Sequence, residues 1–276
     1  MPERRYKKTS SIIAKRRKAR RYVGIFLKIS LPVAFFIGLI FLLRADFLQV
    51  ADFEVFDAET VQTESIKNTA SDFISGTNFF LLPRSNILFL SKANLAAALL
   101  SKFGRLQNVE VNKQFFSKSI ELSVSERKKD FLWCSDQDKC FFMTKDGFIF
   151  DLANEVGTDK IIFRGLLSGN PLMKNFSTPE KMQNYLGFIE ILKNAARPNA
   201  AGGQDFQISS INIESNDKAT AKSNTGDIIF SPDEEDLSTV AQNVILLINN
   251  IKSKTPSVRF SYVDARFGNK IFYKLY

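Results

Sequence analysis

An α+β fold is predicted: an N-terminal transmembrane helix, a β-α-α-β-β unit, and a mixed β-sheet domain with two helices. Three observations lead there. Val23–Leu43 is an apolar run of 21 residues with one charge, Lys28. Past it, stretches of period-2 alternation are interspersed with helical, 3.6-period stretches. Strand-like runs dominate the second half of the 276-residue chain, where two amphipathic helices separate them.

The N-terminal 22 residues form a basic tail. It holds ten Lys and Arg against Glu3 alone, leaving 28 basic and 28 acidic residues in the rest of the chain. The net charge of +9 therefore belongs to a short segment, and an overall-charge argument for nucleic-acid binding fails. Such a tail beside an apolar run determines topology and attracts anionic lipid; a cytoplasmic or nucleic-acid partner is the weaker reading. As a helix, residues 23–43 would cover about 31 Å, the thickness of a bilayer core. Lys28 lies near the basic end, where its stem can snorkel, and Pro32 is tolerable in a membrane helix. Basic residues before the span and an acidic segment after it place the N-terminus in the cytoplasm and residues 45–276 outside. The boundary LLRADFLQ offers no A-x-A-like cleavage site, so an uncleaved anchor is expected rather than a signal peptide.

Beyond the anchor, Gln49–Ala58 is β-like with Val50, Phe53 and Val55 as its buried positions. Val61–Ser75 is a helix with Ile66, Ala70, Phe73 and Ile74 near one face, ended by Gly76. Ser91 caps a second helix, KANLAAALLSKF, which stops at Gly104. Strands Gln107–Gln114 and Lys118–Ser125 follow; Ile120, Leu122 and Val124 alternate with polar residues, as in a half-buried strand. The unit spans residues 48–127.

The domain from 128 to 276 begins with FLWCSDQDKCFFM, in which a polar loop separates two aromatic-flanked strands. Outside the cytoplasm, Cys134 and Cys140 read as a disulfide across a hairpin, with two free thiols as the alternative. Asp146-Gly147 is a favoured turn pair within FFMTKDGFIF. Thr178–Ala196 is an amphipathic helix with Pro179 at its first position and Met182, Leu186, Ile189 and Leu192 along one side. RPNAAGG, residues 197–203, breaks it. Strands are predicted at Phe206–Glu214, Lys218–Lys222 and Asp227–Phe230, then a helix over Glu235–Lys252 with Leu237, Val240, Val244, Leu247, Ile248 and Ile251 inward. FSYVDARFGNKIFYK closes the chain as two strands around Gly268-Asn269.

The element order of residues 48–127, with GTNFF after the first helix and NVEVNKQFFSKSIELSVSER at its end, resembles a POTRA domain. Together with the span upstream, it is similar to that of the bacterial cell-division family FtsQ, also called DivIB. Val124, Glu126 and Arg127 match the family's V-x-E-R element, although Lys128 and Lys129 stand where a proline is common. FFMTKDGFIF resembles the family's aspartate-glycine hairpin. Tyr262, Val263, Asp264, Arg266 and Phe267 match its closing Y-(V/I)-D-L-R-(F/Y) strand, with Ala265 in place of the usual leucine. The resemblance implies a non-enzymatic, single-span component of the divisome at the septal membrane. It also implies that the terminal strands bind FtsB in complex with FtsL, through Arg266, Phe267, Ile271, Phe272 and Tyr273.

Residue chemistry points the same way. With no histidine in the chain, Ser-His-Asp and Cys-His triads and His-ligated metals are excluded. No P-loop, GxGxxG, G-x-S-x-G, S-x-x-K or H-E-x-x-H occurs. The carboxylates Asp136, Asp138, Asp146, Asp151, Asp233, Glu234, Glu235 and Asp236 fall in polar turns or at a helix start, where the helix dipole explains several. No enzyme, cofactor, metal, nucleic acid or small-molecule substrate is expected. KIFYKLY, the last seven residues, is β-prone; as a terminal strand it can lie at a sheet edge and accept a strand from another chain. Its rival is internal pairing with Ile271, Tyr273 and Leu275 in the core. Two further alternatives are an envelope transport or assembly factor that uses its POTRA unit as a chaperone-like module, and a carboxylate-based extracytoplasmic hydrolase.

Overall fold

The computed structural model describes residues 4–78, 82–135, 139–154, 157, 160–194, 206–255, 258–268 and 270–276, with the backbone alone for 4–21. Phe79-Phe80, Ser135–Lys139 at its centre, the 197–203 breaker and Asn269 of the last turn were singled out above and lie outside the described residues in whole or part. The chain divides into two compact units, residues 1–102 with 108–125, and residues 103–107 with 126–276.

Helix α1, Arg4–Leu43, runs unbroken for 40 residues. The basic tail is therefore the first half of one long helix. Residues 4–22 contain neither glycine nor proline, and Lys and Arg are good helix formers. Tyr22–Leu43 is long and apolar enough to cross a membrane. A single 3-10 turn, Asp46–Leu48, follows.

The rest of the first unit holds β1 (Asp52–Phe56), α2 (Thr63–Ile74), β2 (Thr77–Asn78), β3 (Leu82–Pro83), α3 (Lys92–Lys102), β4 (Leu106–Gln114) and β5 (Ser119–Glu126). The helix, strand and helix periods correspond to those read in the sequence; the two-residue ribbon β2–β3 between the helices does not, because it is too short to carry a period. The sheet order is β1-β5-β4, with β1 parallel to β5. Phe53 faces Ile120 and Val55 faces Leu122 across that pair. Ile66, Ala70 and Ile74 of α2 and Leu95 and Leu99 of α3 are buried, as are Ile120, Leu122 and Val124 of β5. Val50, expected in the core, is only half-buried. It precedes the strand, its N–H donating to the Ser85 carbonyl at 2.8 Å, and its position is out of phase with Phe53 and Val55.

The second unit contains β6 (Phe131–Cys134), β7 (Cys140–Met143), β8 (Phe148–Leu152), β9 (Ile162–Arg164), β10 (Lys174–Asn175), α4 (Pro179–Asn194), β11 (Ile208–Ser215), β12 (Lys218–Ser223), β13 (Asp227–Phe230), α5 (Leu237–Lys254), β14 (Phe260–Phe267) and β15 (Lys270–Leu275). They build one mixed ten-stranded sheet in the order β10-β8-β7-β6-β9-β11-β12-β13-β14-β15. Helices α4 and α5 supply Met182, Tyr185, Phe188, Ile189 and Leu192, and Leu237, Ala241, Val244 and Ile248, to a core with one face of the sheet. That core extends to Phe260, Val263 and Ala265 of β14. The alternate residues of β6 and β7 form a small second cluster of Leu132, Cys134 and Cys140 with Ala153. Cys134 and Cys140 face each other across the β6–β7 pair and are joined by a disulfide.

Candidate functional site: the open edge of the terminal ribbon

Chain direction and a turn create the ribbon. Parallel pairing sets β14 against β13, with Ile228 beside Val263, so β14 is held from the interior of the sheet. At Gly268, φ is +61°, a left-handed value that glycine adopts without a Cβ penalty. The chain reverses there and β15 pairs antiparallel with β14, placing Tyr273 opposite Val263 and Phe272 opposite Asp264. Among the described residues no strand pairs with the other side of β15, which ends the sheet.

Backbone geometry identifies the groups on that open side. The Tyr276 N–H donates to the Arg259 carbonyl at 3.1 Å, so Tyr276 turns its backbone toward β14. In an antiparallel ladder the N–H and C=O of one residue point to the same neighbour, and successive residues alternate. Lys270, Phe272 and Lys274 therefore share the direction of Tyr276. Ile271, Tyr273 and Leu275 turn their N–H and C=O away from β14. Backbone groups in this position call for a partner, whether water or another strand.

Side chains populate both faces of the edge. On the helix-covered face, Ile271 packs half-buried against the core. Tyr273 is 45% exposed with its ring 6.0 Å from that of Phe260, and Leu275 is 38% exposed. The internal-pairing alternative, which placed Ile271, Tyr273 and Leu275 in the core, is corrected for Tyr273 and Leu275, which stay exposed, while Ile271 is half-buried against the core. At the last strand, a residue has a neighbour on one side only, and Tyr273 and Leu275 are left exposed there. On the opposite face Phe267 and Phe272, 52% and 54% exposed, meet edge to face at 5.3 Å. The Arg266 guanidinium lies 5.3 Å from the Phe267 ring centre.

A bulge links these contacts. The register shifts between Asp264 and Phe267, so Arg266 bonds locally. Its backbone N–H donates to Asp264 Oδ1 at 3.2 Å, and its Nε and Nη2 donate to the two carboxylate oxygens at 2.9 and 2.8 Å. Asp264 is 7% exposed. The Asp264 hydrogen bond, helped by Asp217 and Glu214, raises the Arg266 pKa above its ordinary value. Glu214 is held below the usual carboxylate range by hydrogen bonds from Lys218 and Thr220. A polar strip over β11, β12 and β14 thus ends in an aromatic margin.

The five residues singled out in the sequence are all on this ribbon, but they do not make one patch. Phe267 and Phe272 touch, with Arg266 beside them; Ile271 and Tyr273 face the other way. The edge presents its backbone between two faces of different composition. Leu275 and Tyr276, the latter 90% exposed, lie on the same edge and were not among those five. The parity of 271, 273 and 275 carried the signal for Leu275. The Asp264–Arg266 pair was legible too, since strand residues two apart share a face.

The acidic residues do local work elsewhere. Asp151 pairs with Arg105 and Asp233 with Lys181. Asp146 accepts from the Thr144 hydroxyl within its hairpin. Asp236 caps α5, accepting from the Thr239 hydroxyl at 2.5 Å and from the Thr239 N–H at 3.0 Å, and these bonds, the hydroxyl's first, lower its pKa. Asp136 and Asp138 lie outside the described residues. Among the described residues no group of three His, Cys, Asp or Glu is placed to hold a metal. No protein-family model matches the chain, and no curated protein is significantly similar to it.

Proposed function

We propose that the chain is a membrane-anchored, non-enzymatic scaffold of the bacterial divisome, of the FtsQ/DivIB type. Its extracytoplasmic part holds single-span division proteins of the FtsB/FtsL type by adding one of their strands to β15. The observation that carries this reading is the unpaired side of β15, flanked by exposed aromatic residues on both faces. Main-chain bonds to such an edge supply affinity, and alternate side chains select the partner. The anchor rests on Tyr22–Leu43. The positive charge before that segment supports an N-terminus inside, and the bonded Cys134–Cys140 pair supports an oxidising compartment for the second unit. A POTRA assignment for the first unit is supported by its element order, β1, α2, α3, β4, β5, with the short ribbon β2–β3 inserted between the two helices.

Amide exchange on the full-length chain tests the reading, with and without co-expressed FtsB/FtsL-type partners. The amides of Ile271, Tyr273 and Leu275 exchange fast in the free protein and slow in the complex, whereas Phe272 and Lys274 are protected in both. A stable complex that leaves the exchange of 271, 273 and 275 unchanged rejects strand addition at this edge.

A further inference from the structure

The first unit carries a second unassigned surface, where it meets the end of α1. Asn86 is fully buried, and its Nδ2 donates to the Leu43 carbonyl, the last of the helix, at 2.6 Å. Gln49 Nε2 reaches the same carbonyl at 3.4 Å, and the Ile87 N–H donates to the Leu48 carbonyl at 2.8 Å. The 84–90 segment is thereby pinned against the helix end. The β4–β5 turn is brought to the same end, because the Ala51 N–H donates to the Lys118 carbonyl at 2.7 Å and β1 starts beside the start of β5.

Between Arg44 and Ser125, the described large apolar side chains left exposed are Phe47, Phe56, Leu88, Phe89, Phe115 and Phe116. Five of these six lie on the segments just described; Phe56, at the far end of β1, is the exception. Phe116 is fully exposed and Phe89 55% exposed. A gathered apolar patch marks a membrane or protein contact, and the place of this one at the end of the apolar helix favours the membrane. Basic residues border them: Lys113 Nζ donates to the Leu88 carbonyl at 3.4 Å, and Lys118 sits in the turn. Partial burial and the nearby Lys92 lower the Lys113 pKa.

We infer that Phe47, Leu88, Phe89, Phe115 and Phe116 form a lipid-inserting rim that seats the first unit on the bilayer its own helix crosses. The occupant follows from covalent continuity: the helix delivers these side chains to the headgroup region, where aromatic residues partition favourably to a depth of about 5–10 Å. The inference rests on the membrane anchoring proposed above.

The test uses full-length protein in vesicles of phosphatidylethanolamine and phosphatidylglycerol with brominated acyl chains. Trp133→Phe silences the single native tryptophan; its buried Nε1 has no hydrogen-bond partner, so the exchange forfeits none. Single reporters are then placed by Phe89→Trp, Phe116→Trp, Phe56→Trp and, within the span, Phe36→Trp. The expected result is quenching at 89 and 116 at least about two-fold that at 56, with blue-shifted emission, as for interfacial tryptophan. Quenching at 36 with 89 and 116 no more quenched than 56 overturns the rim and leaves the anchor standing. No quenching at 36 removes the anchor and the rim with it.

Discussion

Tyr273→Pro separates backbone recognition from side-chain recognition at β15. The residue's N–H points to the open side, so a proline there takes no hydrogen bond from the β14–β15 ladder, and proline is accommodated on edge strands in this orientation. Three outward residues offer a partner strand up to about six backbone hydrogen bonds, each worth about 0.5–1.5 kcal/mol net. Removing the central N–H, and blocking the adjoining carbonyl with the pyrrolidine ring, forfeits two of them. The expected loss is about 1–3 kcal/mol, or roughly 5- to 150-fold in Kd. The assay is a binding titration of full-length protein in detergent against the partner pair. Tyr273→Ala serves as control, since it deletes the ring packed on Phe260 and keeps the N–H. Phe272→Pro is the opposite control: it breaks the internal ladder and lowers Tm. The reasoning would be refuted by Tyr273→Pro and Tyr273→Ala variants of equal affinity, because recognition would then reside in the side chain.

Further expectations concern the frame that holds this edge. Burial, with a contribution from Asp233, pushes the Tyr185 hydroxyl up to about 12 from 10.0. A raised folded pKa gives stability that is complete below pH 10 and lost as pH climbs toward 12; the loss is about 2–3 kcal/mol at 1.36 kcal/mol per unit, and denaturant titrations should show it flattened in Tyr185→Phe. Replacing Cys134 and Cys140 by serine should cost about 2 kcal/mol, from the short loop the disulfide closes; reduction of the wild type should lower the unfolding midpoint to match. At Gly226, φ is +132° and an added Cβ would stand 2.5 Å from the Phe260 carbonyl oxygen. Gly226→Ala should therefore cost about 3 kcal/mol and loosen the start of β14, read as lower Tm and faster exchange at residues 260–263.

The parts of this fold that were legible in sequence are those whose period survives local reading. Ile120, Leu122 and Val124 alternate because β5 is covered on one face, and Val23–Leu43 is uniformly apolar over a length that can cross a membrane. Phe131–Cys134 shows no alternation, since both of its faces are buried, one in the main core and one around the disulfide. β9 and β10, of three and two residues, are too short to announce themselves. Tyr185 and Phe188 were left out of the inward face of α4 in the sequence reading, though both are buried; aliphatic spacing alone understates a stripe that includes aromatics. The terminal strand itself was readable, and so was its parity. Which of its sides lies open depends on the parallel pairing of β13 with β14, a contact between segments more than 30 residues apart that no local pattern encodes.

An exposed aromatic edge also invites a second copy of the same chain, and the positions of two lysines bear on that hazard. If two β15 strands paired antiparallel with Phe272 at the centre, Lys270 of each would stand opposite Lys274 of the other. Like charges directly opposite are destabilising, by about 0.2–1 kcal/mol for each pair, and symmetry makes two such pairs. Both lysines are exposed, and Arg259 at the start of the ribbon is exposed as well. The edge therefore disfavours itself and favours a strand that carries acid at the facing positions. Lys270→Glu turns both repulsive pairs into attractive ones in the self-paired register. It should strengthen self-association of the full-length protein by several-fold in sedimentation equilibrium, most clearly at low salt, and weaken an acidic partner in the same titration used for Tyr273→Pro. Unchanged self-association together with undiminished partner binding would mean that the lysines face water alone, and that the choice between self and partner is made elsewhere on the ribbon.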